Sequence, residues 1–269
     1  MTAKVKKWLL IVADAALAVY LVLAMVAFNH PDKSARVCTK VVINIDDDNA
    51  IGFLTTGEIK SILQRKGLYP ERKKLSEVKP GRIEQTLKRS PFVKTAECYI
   101  TQDGEVNINI TQLLPVVRVK SNNGDDYYID EEGRIMPHST YTSDLVIATG
   151  YVSKGFARHF ITYVATAIMA DDMWRNLIEQ INVTPDHGIE VVPRVGDHVV
   201  FLGYLPAYKN KQMQRDSVEA FVSHKLTRLE KFYKYGLSQA GWNKYSHIDL
   251  EFDNQIICKR RKNEEQQRQ

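Results

Sequence analysis

The residues able to do chemistry in this chain are seven histidines, three cysteines and a scatter of carboxylates. His138, His159, His187, His198, His224 and His247 show no ligand spacing for a metal ion. Cys38, Cys98 and Cys258 are too few and too scattered for a disulfide framework or a thiolate site. In an oxidising compartment they allow one bridge and leave one thiol over. Asp186-His187 would serve beside a nucleophile, yet a turn accounts for the same pair, because Asx side chains bond the local backbone. Asp249 and Glu251 alternate onto one face of an expected strand, as paired carboxylates or as a solvated or partner-facing surface. The run Asp46-Asp47-Asp48-Asn49 lacks the spacing, glycine and terminal glutamate of a calcium loop and reads as a solvated turn. G-x-S-x-G, H-E-x-x-H, P-loop and dinucleotide signatures are absent from the sequence. The aromatics follow core periodicity and do not interleave with a basic stripe, which argues against nucleic acid. The expectation is a protein that is no enzyme, with no catalytic, metal or cofactor residues.

Residues 8–28 (WLLIVADAALAVYLVLAMVAF) form one apolar run about as long as a bilayer core requires, ~20 residues. Lys4, Lys6 and Lys7 precede it, and no comparable basic cluster follows. The positive-inside rule therefore keeps residues 1–7 cytoplasmic and exports the rest. A cleavable signal peptide has a shorter apolar core and a small-residue site that Met25-Val26-Ala27 does not supply. A lipoprotein reading fails because Cys38 lies outside the run. Asp14 either pairs within the membrane or reaches the nearby cytoplasmic face. Residues 29–36 read as a linker around Pro31.

Beyond the linker, 37–45 alternates around β-branched residues as a strand. Thr55-Thr56-Gly57-Glu58 is a capping box, Ile59, Ile62 and Leu63 supply an apolar stripe, and Gly67 stops the helix. A second helix starts at Pro80, carries Ile83 and Leu87, and ends at Ser90-Pro91. Strands over 92–101 and 105–112 flank Gln102-Asp103-Gly104, a hairpin signal. The order β-α-α-β-β buries both helical stripes only if the helices share one face of a small sheet.

From residue 113 the pattern becomes mostly antiparallel β with packed helices. Strands are expected at 116–119, 127–130, 133–136, 145–149, 178–184, 188–193 and 198–202. A helix over 155–169 carries Phe156, Phe160, Val164 and Ile168, and Asp171 or Asp172 caps a second one. A long helix over 212–235 carries Val218, Phe221, Val222, Leu229 and Phe232, with Lys225 snorkelling and Gly236 as the stop. A hairpin joins 245–252 to 255–259 across Asp253-Asn254. The terminal KRRKNEEQQRQ holds much of the +5 net charge and reads as a solvated tail over 260–269.

The β-α-α-β-β unit resembles a POTRA (polypeptide-transport-associated) module. The whole chain resembles the FtsQ/DivIB bacterial cell-division family. The resemblance rests on Tyr128-Ile129-Asp130 with Gly133 and Pro137, on Leu202-Gly203 before the long helix, and on YSHIDLEF at 245–252 followed by Asn254-Gln255-Ile256-Ile257. Leu113 or Leu114, following Gln112, stands where the family often has an arginine, and Glu251 replaces the arginine usual in the closing motif. The resemblance implies an α+β protein: a cytoplasmic tail (1–7), transmembrane helix (8–28), linker (29–36), POTRA-like domain (37–112), C-terminal β domain (113–259) and tail (260–269). It implies a single-pass inner-membrane protein at the division septum, non-enzymatic, linking divisome proteins, binding partners of the FtsB/DivIC and FtsL type, with a septal transglycosylase or transpeptidase as a further candidate, and regulating septal wall synthesis. From the residues, an exposed edge in the last hairpin would accept a partner strand by β-augmentation. Tyr245, His247, Asp249, Glu251, Phe252, Ile256 and Cys258 are the candidate contacts, with the long helix as one wall. Alternation makes about half of these core residues instead.

Three rivals remain. An outer-membrane or secretion assembly factor predicts tandem POTRA units or a barrel, and the sequence has neither. An envelope hydrolase with a non-sequential site predicts lost turnover on replacing Asp186, His187 or Asp249. A ligand sensor predicts ligand-dependent stabilisation on heating.

Overall fold

The structure, a computed structural model, describes residues 3–28, 36–46, 53–139 and 145–261. The linker over 29–35, the acidic turn at 47–49 and the tail from 262 lie outside the described residues. The first helix, α1, is Ala3–Phe28. Among the described residues no helix is long and apolar enough to cross a membrane.

The chain divides into two compact units. The first takes in Met1–Asp46, Leu54–Ser90 and Thr95–Thr111. Its strands β1 (Lys40–Asp46), β2 (Val93–Ile100) and β3 (Glu105–Gln112) form a sheet of order β1-β3-β2, with β1 parallel to β3. Helices α2 (Thr56–Arg65) and α3 (Pro80–Lys88) bury Ile59, Leu63, Ile83 and Leu87 completely or nearly so. Each such burial is worth roughly 1.5–3 kcal/mol. The α2 start is closed as its sequence requires. Glu58 N–H donates to Thr55 Oγ1 at 3.2 Å, and Thr55 N–H donates to the Glu58 carboxylate at 2.8 Å. Gly67 follows with φ +66°. Along β3 burial alternates strictly: Val106, Ile108 and Ile110 are interior, Asn107 and Asn109 outside.

The second unit takes in Phe53, 91–94 and everything from Gln112. It holds β4 (Pro115–Ser121), β5 (Asp126–Asp130), β6 (Ile135–Pro137), β7 (Ile147–Gly150), β8 (Ile178–Val183), β9 (Gly188–Pro193), β10 (Val199–Tyr204), β11 (Tyr245–Asp249) and β12 (Ile257–Arg260). They make one sheet of order β12-β11-β10-β9-β8-β7-β4-β5-β6. The sheet is mixed: β4 with β7, β7 with β8 and β10 with β11 are parallel, and the other pairings antiparallel.

Helix α4 (Lys154–Phe156) runs through a π turn (Ala157–Ile161) into α5 (Thr162–Met169). Asp171 caps α6 (Asp172–Leu177), accepting from Met173 N at 2.9 Å and Trp174 N at 3.1 Å. The long helix α7 (Lys211–Phe232) starts under the Asn210 side chain, which accepts from Met213 N at 3.0 Å. Ile161, Val164 and Ile168 from one helix, and Val218, Val222, Leu226 and Leu229 from the other, close the core over the sheet.

Gly236 does not stop α7. The helix continues through a second π turn (Tyr233–Leu237) into α8 (Ser238–Ala240) and ends at Gly241, φ +98°. A Cβ at Gly236 would come within 2.8 Å of the Phe232 ring, so that glycine admits an aromatic neighbour and does not terminate anything.

Candidate partner-binding edge

Among the described residues, strand β12 pairs with β11 on one side and with no strand on the other. Arg261 N–H donates to Lys244 O at 3.0 Å, and Lys259 O accepts from Ser246 Oγ at 3.4 Å. Backbone groups at 259 and 261 thus face β11. Along a strand they alternate, so the N–H and C=O of Cys258 and Arg260 point out of the sheet.

A strap, 250–256, joins β11 to β12, and α7 holds it from beneath. Lys225 donates to Leu250 O at 2.9 Å, to Glu251 O at 2.8 Å and to the Asp253 carboxylate at 2.8 Å. Arg228 donates to Leu250 O at 3.0 Å, Phe252 O at 2.8 Å and Gln255 O at 2.9 Å. His224 Nε2 lies 3.5 Å from the same Asp253 carboxylate. The Lys225 hydrogen bond, then its charge, holds the Asp253 carboxyl below the usual carboxylate range. Lys225 therefore does not snorkel: it is 3% exposed, and its charge is satisfied by backbone carbonyls of a distant loop. Those carbonyls are consequently unavailable to a ladder. The expected hairpin shrinks at both ends, with β11 finishing at Asp249 and β12 starting at Ile257.

Glu251 thus falls beyond the strand and does not share a strand face with Asp249; its N–H instead donates to the Asp249 carboxylate at 2.8 Å. His247 and Asp249 are half-buried in β11, opposite Lys259 and Ile257. Phe252 is exposed on the strap. Tyr245, Ile256 and Cys258 pack against the core cluster, and burial raises the Cys258 thiol pKa. The exposed side chains of β12 are Ile257, Lys259 and Arg260. Lys225 and Arg228, the residues that set this geometry, escape sequence reasoning because their acceptors lie 22 to 28 positions away. The available signal was a lysine in phase with Val218, Val222 and Leu229.

The far end of the edge is also fastened. The Arg261 guanidinium donates to the carboxylate and carbonyl of Asp197. Next to Asp197, buried His198 places Nε2 2.7 Å from Tyr233 Oη, while its Nδ1 has no partner among the described residues. Desolvation lowers the His198 pKa more than the Asp197 charge raises it, and Arg261 lowers it further. The second π turn carries Tyr233 to this position, edge-on to His198 and to Trp242. Asp186 and His187 sit in the β8–β9 turn, His187 at φ +66°. There Asp186 accepts from Thr184 and Tyr204, both at 2.5 Å, and the two bonds hold its pKa low. That pair is turn chemistry. Among the described residues, no cluster of three or more His, Cys, Asp or Glu is placed to hold a metal ion.

Two family models match this chain. One, described as FtsQ/DivIB, C-terminal related, covers residues 114–259; the other, a POTRA-like domain, covers 36–111. No curated protein matches it significantly.

Proposed function

This chain belongs to the FtsQ/DivIB family, and we propose that it is a membrane-anchored, non-enzymatic division scaffold whose β12 edge takes up a strand from a septal partner. The observation that carries this reading is the outward backbone of Cys258 and Arg260 on a strand that, among the described residues, is paired on one side only. An incoming strand satisfies those groups, and Ile257, Lys259 and Arg260 offer it one apolar and two basic side chains. His247, Asp249, Glu251 and Phe252 border the same edge, whereas Tyr245, Ile256 and Cys258 support it from the core. The partners are of the FtsB/DivIC and FtsL type, and the outcome is control of septal wall synthesis.

Anchoring is supported by α1. Its 26 residues extend roughly 39 Å at 1.5 Å each. Val19, Tyr20, Leu21, Val22 and Leu23 are consecutive and all exposed. Five successive residues point to every side of a helix, so no aqueous face remains, and the bilayer is the solvent that suits it. The helix crosses the inner membrane with residues 1–7 in the cytoplasm and both folded units outside.

Cys258→Pro tests the docking edge. Proline removes an N–H that the fold itself does not use. Because the half-buried Cys258 side chain also packs on the core, Cys258→Ala, which loses the same thiol and keeps the N–H, is the reference for both unfolding midpoint and partner recovery. Co-purification with an FtsB/DivIC–FtsL-type complex should fall at least tenfold, about one lost backbone bond plus a steric block (~1–1.5 kcal/mol or more). Ile257→Pro is the internal control, because its N–H faces β11 and its loss should destabilise the domain. Full partner recovery with folded Cys258→Pro overturns the proposal.

A further inference from the structure

Charge in this protein is concentrated in one layer. Leu54–Ser90, the helical layer of the first unit, holds ten Lys and Arg against four Glu, a net +6. The whole chain is +5, so everything else, tail included, sums to −1. Nine of the ten cations are exposed, among them Lys66, Arg72, Lys74, Lys79, Arg82 and Arg89. None of the nine forms an ion pair among the described residues. The opposite side of the same unit differs. A groove on the open face of the β1-β3-β2 sheet is lined by Asn44, Asp46, Thr95, Glu97, Asn109 and Thr111, with two carboxylates and no cation. The unit is electrically two-sided, with its helices positive and its bare sheet face acidic to neutral.

We propose that the α2–α3 layer docks on the anionic lipid headgroups of the membrane that holds the chain. This inference rests on the anchoring reading given above. Residues 29–35 are the only chain between α1 and the folded unit, and seven residues span at most ~25 Å. The unit is therefore held within a few Debye lengths of the bilayer, ~8 Å each at physiological salt. Within one Debye length, a distance this tether lets the layer reach, its cations are drawn to the surface while the carboxylate-bearing face is turned away. A headgroup lattice suits cations spread over two helices and a loop, because it demands no shape complementarity. The consequence is orientation: the sheet face and its β1 edge look outward, available to other proteins.

The test uses the full chain in nanodiscs, of phosphatidylcholine alone or mixed with phosphatidylglycerol. Acylation of lysines by an amine-reactive reagent is read by mass spectrometry. Lys66, Lys74, Lys79 and Lys88 should be protected in anionic discs, exposed in neutral ones, and released by molar salt, while Lys231 and Lys234 stay unchanged throughout. Arg65→Gln, Arg82→Gln and Arg89→Gln keep the reporter lysines; together they should cut protection by about fivefold per charge removed. Incorporation into both discs without lipid-dependent protection overturns the docking and leaves the anchor standing. Failure to enter neutral discs overturns the anchor, and the docking with it. Protection seen only in native membranes, not in phosphatidylglycerol, would assign the layer to an acidic protein and overturn the lipid assignment.

Discussion

Replacing Lys225 by methionine isolates what its ammonium does, since the thioether chain occupies the space of the lysine stem. Three bonds disappear, but their loss is unequal. Leu250 O keeps Arg228 at 3.0 Å. Asp253 is an exposed side chain that water takes over, so it contributes little. Glu251 O loses its ammonium donor and is left under the strap. That carbonyl is only part-buried, so water recovers some of the bond and its loss falls at the low end of ~1–3 kcal/mol, while a charge-assisted bond lost at Leu250 adds about half that. Relief from desolvating the ammonium works in the opposite direction. It does not prevail, because the acceptors stay behind when only the donor is removed. The expected net loss is about 1–2 kcal/mol. Urea unfolding should show a lower midpoint at unchanged slope. Hydrogen exchange should rise at 250–256 well before it rises in α3. Partner recovery should drop as well, because β12 begins where the strap ends. A midpoint at or above that of the parent, with the strap still protected, would refute the view that α7 holds the docking edge in place.

Two further outcomes follow from the geometry. His198 is neutral when folded, its pKa lowered below 6.5 by burial, so the unfolded chain binds the extra proton. Stability is then full above about pH 6.5 and declines as pH falls toward the folded pKa; His198→Gln, which keeps a bond to Tyr233, should flatten that decline in thermal melts from pH 7 to 5. Thr55→Ala removes the hydroxyl that accepts from Glu58 N–H and should cost ~1 kcal/mol by chemical denaturation of the first unit, while an unchanged midpoint would mean the capping box is idle.

What the sequence makes legible here is local. The Thr55–Glu58 box, the Gly67 stop, the Asp171 cap and the strict alternation of β3 are all settled within a few residues, and the structure has each of them. What escapes is settled by distant partners. Lys225 reads as a snorkelling lysine because the carbonyls that bind it come from the far side of α8 and β11. Gly236 reads as a helix stop because nothing local reveals that Phe232 needs the space of a missing Cβ. Parallel pairings such as β10 with β11 leave no turn signature, since a helix and not a hairpin connects the strands. The final hairpin was legible as a place, although the strap shortens it at the turn. Its division of labour was not, because which side chains face the core depends on a bulge between Tyr245 and His247.

The pairing of β10 with β11 has a bearing on when this protein becomes competent. Val199 meets His247 across 48 positions of chain that include α7, so this pairing closes a long loop before β11 is in place. Only then does β12 have a neighbour to rest on. Long closures of this kind come late in folding, after local contacts have repaid their entropy. Under the proposed docking at β12, the edge offered to a partner exists only once this long closure is made, so a copy with its last strands unpaired has no edge to present.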